Sequence, residues 1–297
     1  MATTHYRRRD SAGLRAMQGL TQRLWSPDTS RWHMGELVWH RLQHLGREHE
    51  WHISLWEHRG RPVAWAWAQP PGRLDLHLDP AHPGLMDEIL RWFNELTPGA
   101  ARVVTVLDTE PAALQDSLLR HGYRERTTGP FFIHLRHDLD DLPEPSVPEG
   151  YTLRPVRGEE DAEARAAVHR AAFSLPGEPS RVVTESYRRI MRAWPYRPEL
   201  DWLVEAPDGT PAAFCLVWVD DLNRAAVLEP VGTDPGHRRL GLASAAILAA
   251  LRAARRLGAT QARVAARGDA GHPSARATYM SVGFQPYARN LPFTRER

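Results

Sequence analysis

The 297-residue chain carries one order of turn and apolar signals twice, and this repeat constrains its fold more than any other feature. Trp51–Glu57, Arg59-Gly60 and Val63–Ala68 are mirrored by Trp202–Glu205, Asp208-Gly209 and Ala212–Val219. Asp79-Pro80-Ala81-His82 is mirrored by Asp234-Pro235-Gly236-His237, Ala101-Arg102-Val103 by Ala262-Arg263-Val264, and Gly122-Tyr123 by Gly283-Phe284. The offset drifts from 149 at Gly60/Gly209 through 155 at Asp79/Asp234 to 161 at Gly122/Gly283, which small insertions explain. Two domains of one fold follow, at roughly 150 residues each. The acidic stretch 137–149 holds three Pro and has no periodicity, so it is the expected linker between domains 1–136 and 150–297.

Within 150–297 the pattern predicts a mixed α/β domain. A short strand starts at Tyr151-Thr-Leu, and helices follow over Glu159–Ala172 and Arg181–Trp194. Strands are expected at Trp202–Glu205, Ala212–Val219 and Ala225–Val231, with Pro207-Asp208-Gly209 as a hairpin turn. Leu240–Leu257 reads as a long helix ended by Gly258, Ala262–Ala266 as a strand, and Ser274–Val282 as a helix ended by Gly283.

The 38 basic residues are all Arg, which removes several chemistries. P-loop NTPases, pyridoxal phosphate enzymes and protein kinases each need a Lys that is absent here. The single Cys215 excludes an internal disulfide framework and a Cys-rich zinc site. No stretch of 18 apolar residues suggests a membrane span, and Arg7–Arg9 precede no apolar signal region, so a cytoplasmic protein is expected. Residues 1–149 hold 17 Arg and 20 Asp+Glu, net −3, whereas 150–297 hold 21 and 16, net +5. A polyanionic ligand should favour the second half. The Arg residues are scattered, so nucleic acid is not an expected partner.

The informative segment runs from Leu228 to Ser244. A strand enters a loop, and a basic, Gly-containing turn opens the long helix. The first turn of a helix offers unpaired N–H groups and the positive end of the macrodipole. Gly241 and Ala243 leave the backbone open to a ligand, and Arg238 and Arg239 add charge, so a diphosphate would fit. A solvated Arg-rich helix start is the plain alternative.

Arg238-x-x-Gly241-x-Ala243 resembles motif A of the GNAT superfamily of acyl-CoA N-acyltransferases, Q/R-x-x-G-x-G/A. Pro273-Ser-Ala-Arg-Ala-Thr-Tyr279-Met-Ser-Val-Gly283-Phe284 is similar to that superfamily's second signature, with His272 where Asn is usual. The resemblance covers nearly all of 150–297, and residues 1–136 share only the layout. It implies two tandem GNAT-like α/β domains, each a mixed, mostly antiparallel sheet flanked by helices. It further implies that Val231, Gly232 and Thr233 hold the pantetheine arm of acetyl-CoA like an added strand. The diphosphate would fall to Arg239, Leu240, Gly241, Leu242, Ala243 and Ser244. His272 could hold the same arm or only cap a helix.

Acyl transfer from a thioester to an amine needs an unprotonated amine, a polarised carbonyl and a proton for the departing thiolate. Glu229 is the candidate base, acting through water; it lies two residues from Val231 and is therefore expected on the same side of the strand. Otherwise it is a Glu on a solvated face. Tyr279 is the candidate acid under the resemblance, or else a core aromatic. The Val231 N–H would polarise the carbonyl.

In the first half, Pro83-Gly84-Leu85-Met86-Asp87 replaces the basic loop, and by offset Leu74 matches Glu229 and Leu118 matches Tyr279. This half reads as a degenerate copy that supports the second and walls its substrate cleft. Eight of the 11 Trp lie in residues 25–92. Trp65 and Trp67 share a strand face and are expected in the core; the rest either line an aromatic acceptor pocket or, as the favoured reading, pack in the core or a domain interface. His40 and His44, with Glu36, could hold a metal but read as a solvated helix face, so no metal is expected. Cys215 reads as buried and inert. Asp220, Asp221 and Glu178 either draw a cationic acceptor to the cleft or serve turns.

The expected function is acetyl-CoA-dependent N-acetylation of a primary amine, small molecule or peptide, by direct transfer in a ternary complex, by a monomer or homodimer. A mycothiol-synthase-like enzyme and a non-catalytic acyl-CoA-binding regulator are the alternatives.

Overall fold

The computed structural model describes residues 4–7, 11–174, 177 and 179–296; Glu178 and Arg8–Arg9 lie outside them. The first half contains β1 (Thr4–Arg7), α1 (Ser11–Arg23), α2 (Met34–Leu42), β2 (His52–His58), β3 (Arg61–Gln69), β4 (Arg73–Leu78) and α3 (Leu85–Leu96). It continues through β5 (Arg102–Leu107), α4 (Ala112–Arg120), β6 (Arg124–Glu125) and β7 (Phe132–His137). The second contains β8 (Thr152–Pro155), α5 (Ala162–Phe173), α6 (Thr184–Met191), β9 (Asp201–Glu205), β10 (Pro211–Asp220) and β11 (Ala225–Thr233). It ends with α7 (Leu242–Arg256), β12 (Gln261–Arg267), α8 (Pro273–Ser281) and β13 (Gln285–Arg295).

Among the described residues the strands join into one sheet, ordered β1-β2-β3-β4-β5-β13-β7-β12-β11-β10-β9-β8, with β6 beside β13. The neighbours are mostly antiparallel; β4–β5 and β11–β12 are the parallel pairs. The middle of the order is an exchange. β7, from the first half, pairs along its length with β12, Phe132 against Arg267 through His137 against Ala262. β13 starts beside β7 and then crosses, so that Asn290–Arg295 pair with β5 in the first half. The 137–149 stretch lies on the second half, where Leu139 and Leu142 are buried among residues of α7 and β12.

Helices cover both faces, and α2 breaks the expected segregation. It caps itself: His33 Nδ1 accepts from Gly35 N–H, and Glu36 accepts from His33 N–H. It then docks on the second half's sheet, with Val38 and Trp39 packed among Tyr187, Ile190, Leu216 and Trp218. A solvated face was expected around His40 and His44. Instead α2 is wedged between the halves: Leu37, Val38 and Trp39 are all buried, His40 stacks edge-on against Trp32, and His44 falls beyond the helix end. No cluster of metal-ligating side chains occurs among the described residues. Across the same seam, Gln18 Nε2 donates to Trp194 O, Gln22 Nε2 to Asp220 Oδ1, and Arg263 lies 3.9 Å over the Trp25 ring. Trp65 and Trp67 sit together in the core against α1, as expected.

Beneath α5, Arg165 and Asp201 form a wholly buried ion pair, Nε to Oδ1 at 2.8 Å. Tyr187 and Tyr196 donate to the other carboxylate oxygen at 2.5 and 3.1 Å. The guanidinium stacks 4.1 Å over Phe214. Desolvation of such a pair is costly, and the two phenols help to offset it. One helical turn beyond Arg165, α5 presents His169 to the cleft described next.

Candidate active site

β11 follows β12 for only three residue pairs, Ala225–Val227 against Gln261–Arg263. Beyond Val227 the strands splay, and β11 keeps a partner only in β10. The free edge of residues 228–233 leaves room for an extended, amide-bearing ligand beside Val231, Gly232 and Thr233. Gly232 is required by packing: a Cβ there would come within 2.6 Å of Phe214 and 2.9 Å of Ala172.

The loop after β11 is built by local bonds. Asp234 Oδ1 accepts the Gly236 N–H, and the Asp234 carbonyl accepts the His237 N–H. Arg239 (φ 63°) and Gly241 (φ 76°) both take left-handed backbone, and Gly241 is the N-cap of α7. Such turns gather N–H groups into anion-binding concavities. The first intrahelical bond runs from Ala245 N to Gly241 O, which leaves the N–H groups of Leu242, Ala243 and Ser244 for a ligand. Arg238, Arg239, Leu240 and Gly241 are exposed, and the space where a Gly241 Cβ would sit is open. These residues fit a diphosphate. Gly241→Val forces a branched residue into left-handed backbone at about 1–2 kcal/mol and fills that space. The expected result is a KM for acetyl-CoA raised about tenfold, with kcat nearly unchanged, in steady-state assays; an unchanged KM would remove the loop from the site.

Glu229 lies in a β-bulge. Cys215 pairs with Val231 and Val217 with Leu228, so Glu229 and Pro230 together oppose Leu216. The extra residue reverses the alternation, and here the sequence expectation fails. Val231 packs with Leu228 on the α7 side, whereas Glu229 opens on the other side, into a cavity of about 620 Å³. Trp39, Gln43, His44 and Arg47 from the first half line that cavity, with His169, Phe173, Ser180 and Arg181 from the second. Burial pushes the Glu229 carboxyl up to about 8, and the charge of Glu36 adds to the shift. His169, stacked 4.6 Å from Phe173, is pushed down to about 3 by burial and then Arg165, so it stays neutral.

Tyr279, on α8, is buried on the α7 side against Phe284. Burial raises its hydroxyl's pKa, and the nearby charges of Glu229 and Cys215 raise it further, so it stays protonated. Tyr279 and Glu229 therefore approach the β11–β12 gap from opposite faces. His272 is the N-cap residue of α8 and is exposed; its Nδ1 lies 3.1 Å from Ser274 Oγ and makes no side-chain cap to the backbone. Cys215 is fully buried. Asp220 is buried, accepting from Leu222 N–H and Asn223, and Asp221 pairs with Arg197, so both serve the β10–β11 turn.

The first half differs at several of the corresponding positions. Asp79 repeats the Asp234 turn, with Ala81 N–H on Oδ1 and His82 N–H on the carbonyl. Two residues are then missing: α3 starts at Leu85 after Gly84, whose φ is −66°, so neither left-handed position survives. Leu118 does occupy the Tyr279 position, since Tyr123 N–H bonds Leu118 O as Phe284 N–H bonds Tyr279 O. Leu74, however, is not the counterpart of Glu229. β4 lacks the bulge, and Trp67, which matches Leu216, pairs with Asp75. The first copy thus keeps a carboxylate at this place. Burial alone would raise its pKa, but Arg73 and Arg31 hold it below the usual range, through Nε–Oδ2 and Nη2–Oδ1 contacts of 3.0 Å each. It is locked in ion pairs and unavailable as a base.

Residues 169–284 match the model of the acetyltransferase (GNAT) family. A mycothiol acetyltransferase of Kineococcus radiotolerans is 36% identical over 165 residues, 54% of this chain and 48% of that protein. One from Saccharomonospora viridis is 28% identical over 160 residues, 52% of each chain. The aligned segment thus spans about half the length of those relatives. Among solved structures, a GCN5-related N-acetyltransferase from Sphaerobacter thermophilus superposes with a TM-score of 0.63 at 20% identity, covering 99% of this chain and 95% of that one. A tandem GNAT protein from the clavulanic acid pathway gives 0.64 at 15%, covering 99% and 98%. No helix among the described residues is long and apolar enough to cross a membrane. With the splayed strands and the basic helix entry, these matches show that residues 169–284 are similar to the acetyltransferase (GNAT) family and that the chain shares its fold with a tandem GNAT protein.

Proposed function

We propose that the protein transfers an acetyl group from acetyl-CoA directly to a primary amine, with residues 150–297 as the catalytic domain. In this reading residues 1–136 are a degenerate copy joined by 137–149, and the enzyme works in the cytoplasm. The observation that carries it is the free edge of β11, which runs from Glu229 at the cavity to the exposed basic loop. Arg238–Ser244 bind the diphosphate, and the edge of Val231–Thr233 takes the pantetheine arm. The Val231 N–H polarises the thioester carbonyl, Glu229 takes a proton from the amine through water, and Tyr279 gives one to the departing thiolate.

The raised Glu229 pKa suits this role. A carboxylate of pKa ~4.3 taking a proton from an ammonium of pKa ~10 works uphill by about 8 kcal/mol, but one near 8 by about 3. A 620 Å³ cleft admits an acceptor well above the size of a simple alkylamine. The two mycothiol acetyltransferase relatives favour a second, narrower reading in which the acceptor is the amine precursor of mycothiol. Free-thiol release from acetyl-CoA over an amine panel that includes that precursor tests both. Binding of acetyl-CoA without release for any amine would leave a non-catalytic regulator. Tyr279→Phe is expected to lower kcat by about 10²-fold; an unchanged kcat would reject Tyr279 as the acid.

A further inference from the structure

The bulge that aims Glu229 is held by a contact that begins in the other half of the chain. Glu229 and Pro230 oppose a single residue of β10, so their backbone drops out of the regular ladder. The Glu229 carbonyl is instead taken by a side chain: Trp218 Nε1–H donates to it at 2.7 Å. Trp218 is fully buried, and α2 lies directly on it. A Cβ built on Gly35 would stand 2.2 Å from Trp218 Cβ, 2.4 Å from Cγ and 2.9 Å from Cδ2. Glycine is the residue that permits this approach. The indole also meets Tyr196 edge-on, with ring centroids 6.1 Å apart. The ring is held by both contacts, and its N–H points at the backbone of the candidate base.

We propose that Trp218, clamped by Gly35 of α2, is a positioning residue that fixes the bulge carrying Glu229, so that the first half of the chain sets the geometry of the second half's active site. This rests on the reading of Glu229 as the base. The bulge orientation decides whether the carboxyl stays turned into the protein or swings toward the mouth of the cavity. The charged or titratable groups around it are Glu36 of α2, His44 and Arg47 beyond α2, His169 of α5, Arg181, and Tyr279 across the gap. None of them is replaced in Trp218→Phe, so a change in how Glu229 titrates there reports its placement, whereas Gly35 adjoins Glu36, whose charge also raises Glu229.

The test follows the Glu side-chain carboxyl by ¹³C NMR in the full-length protein, with Glu229 assigned from the Glu229→Gln spectrum. Wild type should titrate at about 8. Trp218→Phe keeps the ring and loses the donor; Gly35→Ala presses on the ring from the helix side. Each is expected to lower the midpoint by about one unit or more, a tenfold easier ionisation. If Trp218→Phe does not give a native spectrum, Gly35→Ala compared with Gly35 in a Glu36→Gln background, where the neighbouring charge is absent, carries the test. Midpoints that stay at the wild-type value in the folded variants overturn the proposal while leaving the base reading intact. A wild-type midpoint near 4–5 instead overturns the base reading itself.

Discussion

Glu229→Gln is expected to lower kcat/KM by about 10²- to 10³-fold, with the KM for acetyl-CoA nearly unchanged. Gln keeps the size and the place in the bulge but cannot accept a proton. The pH dependence supplies an independent arm. A base acts only as the carboxylate, and burial followed by the charge of Glu36 raises this one to about 8. Activity should therefore climb by about tenfold per pH unit as pH rises toward 8 and then level, and the limb should vanish in Glu229→Gln. Removing the Glu36 charge relieves part of the shift, so Glu36→Gln should move the limb to lower pH. A wild-type profile flat between pH 6 and 9, or a Gln variant with full activity, would exclude this carboxylate from the chemistry.

Asp201→Ala is expected to cost about 3–5 kcal/mol of folding stability, read from the midpoint of chemical denaturation. The substitution leaves the Arg165 guanidinium fully buried, with two nitrogens that already lack a partner among the described residues and a third that loses its own. Both Tyr187 and Tyr196 lose their acceptor as well. Replacing both charges, Arg165→Leu with Asp201→Leu, should be milder than the single change, because no orphaned ion remains. A single variant within about 1 kcal/mol of wild type would show that water reaches the pair. Because α5 carries His169 one turn beyond Arg165, damage here should also loosen the wall of the acceptor cleft.

What the sequence revealed of this site, and what it hid, divides along the range of the interactions. The Arg238–Gly241 loop was legible because its requirements are local: a left-handed residue, an open backbone and a helix start within four positions. Tyr279 was placed correctly in relation to Leu118 because both helices close with one bond pattern. Glu229 was singled out by its distance from the loop, but its face was misjudged. A bulge changes residue parity without any signal in composition, and the same extra residue led to Leu74 where Asp75 stands. α2 was missed as part of the site for another reason. Trp39, Leu37 and Val38 report only that the helix is buried, and burial does not name the partner. The β7–β13 exchange was equally silent, since an alternating strand pairs as well with one neighbour as with another.

That exchange has a consequence for how the protein came to be and how it must be handled. A pair of independent copies could drift apart, and either could be cut away. Here the strand that finishes each sheet is supplied by the other copy, since β7 lines β12 and the end of β13 lines β5. With that trade in place the first half is needed by the second whether or not it has chemistry of its own. Residues 150–297 expressed alone should leave the β12 edge bare, and size-exclusion chromatography should find aggregates or an intertwined dimer that borrows the missing strand. A well-behaved, active monomer of that fragment would contradict it. The two halves should therefore melt and fold as a single cooperative object.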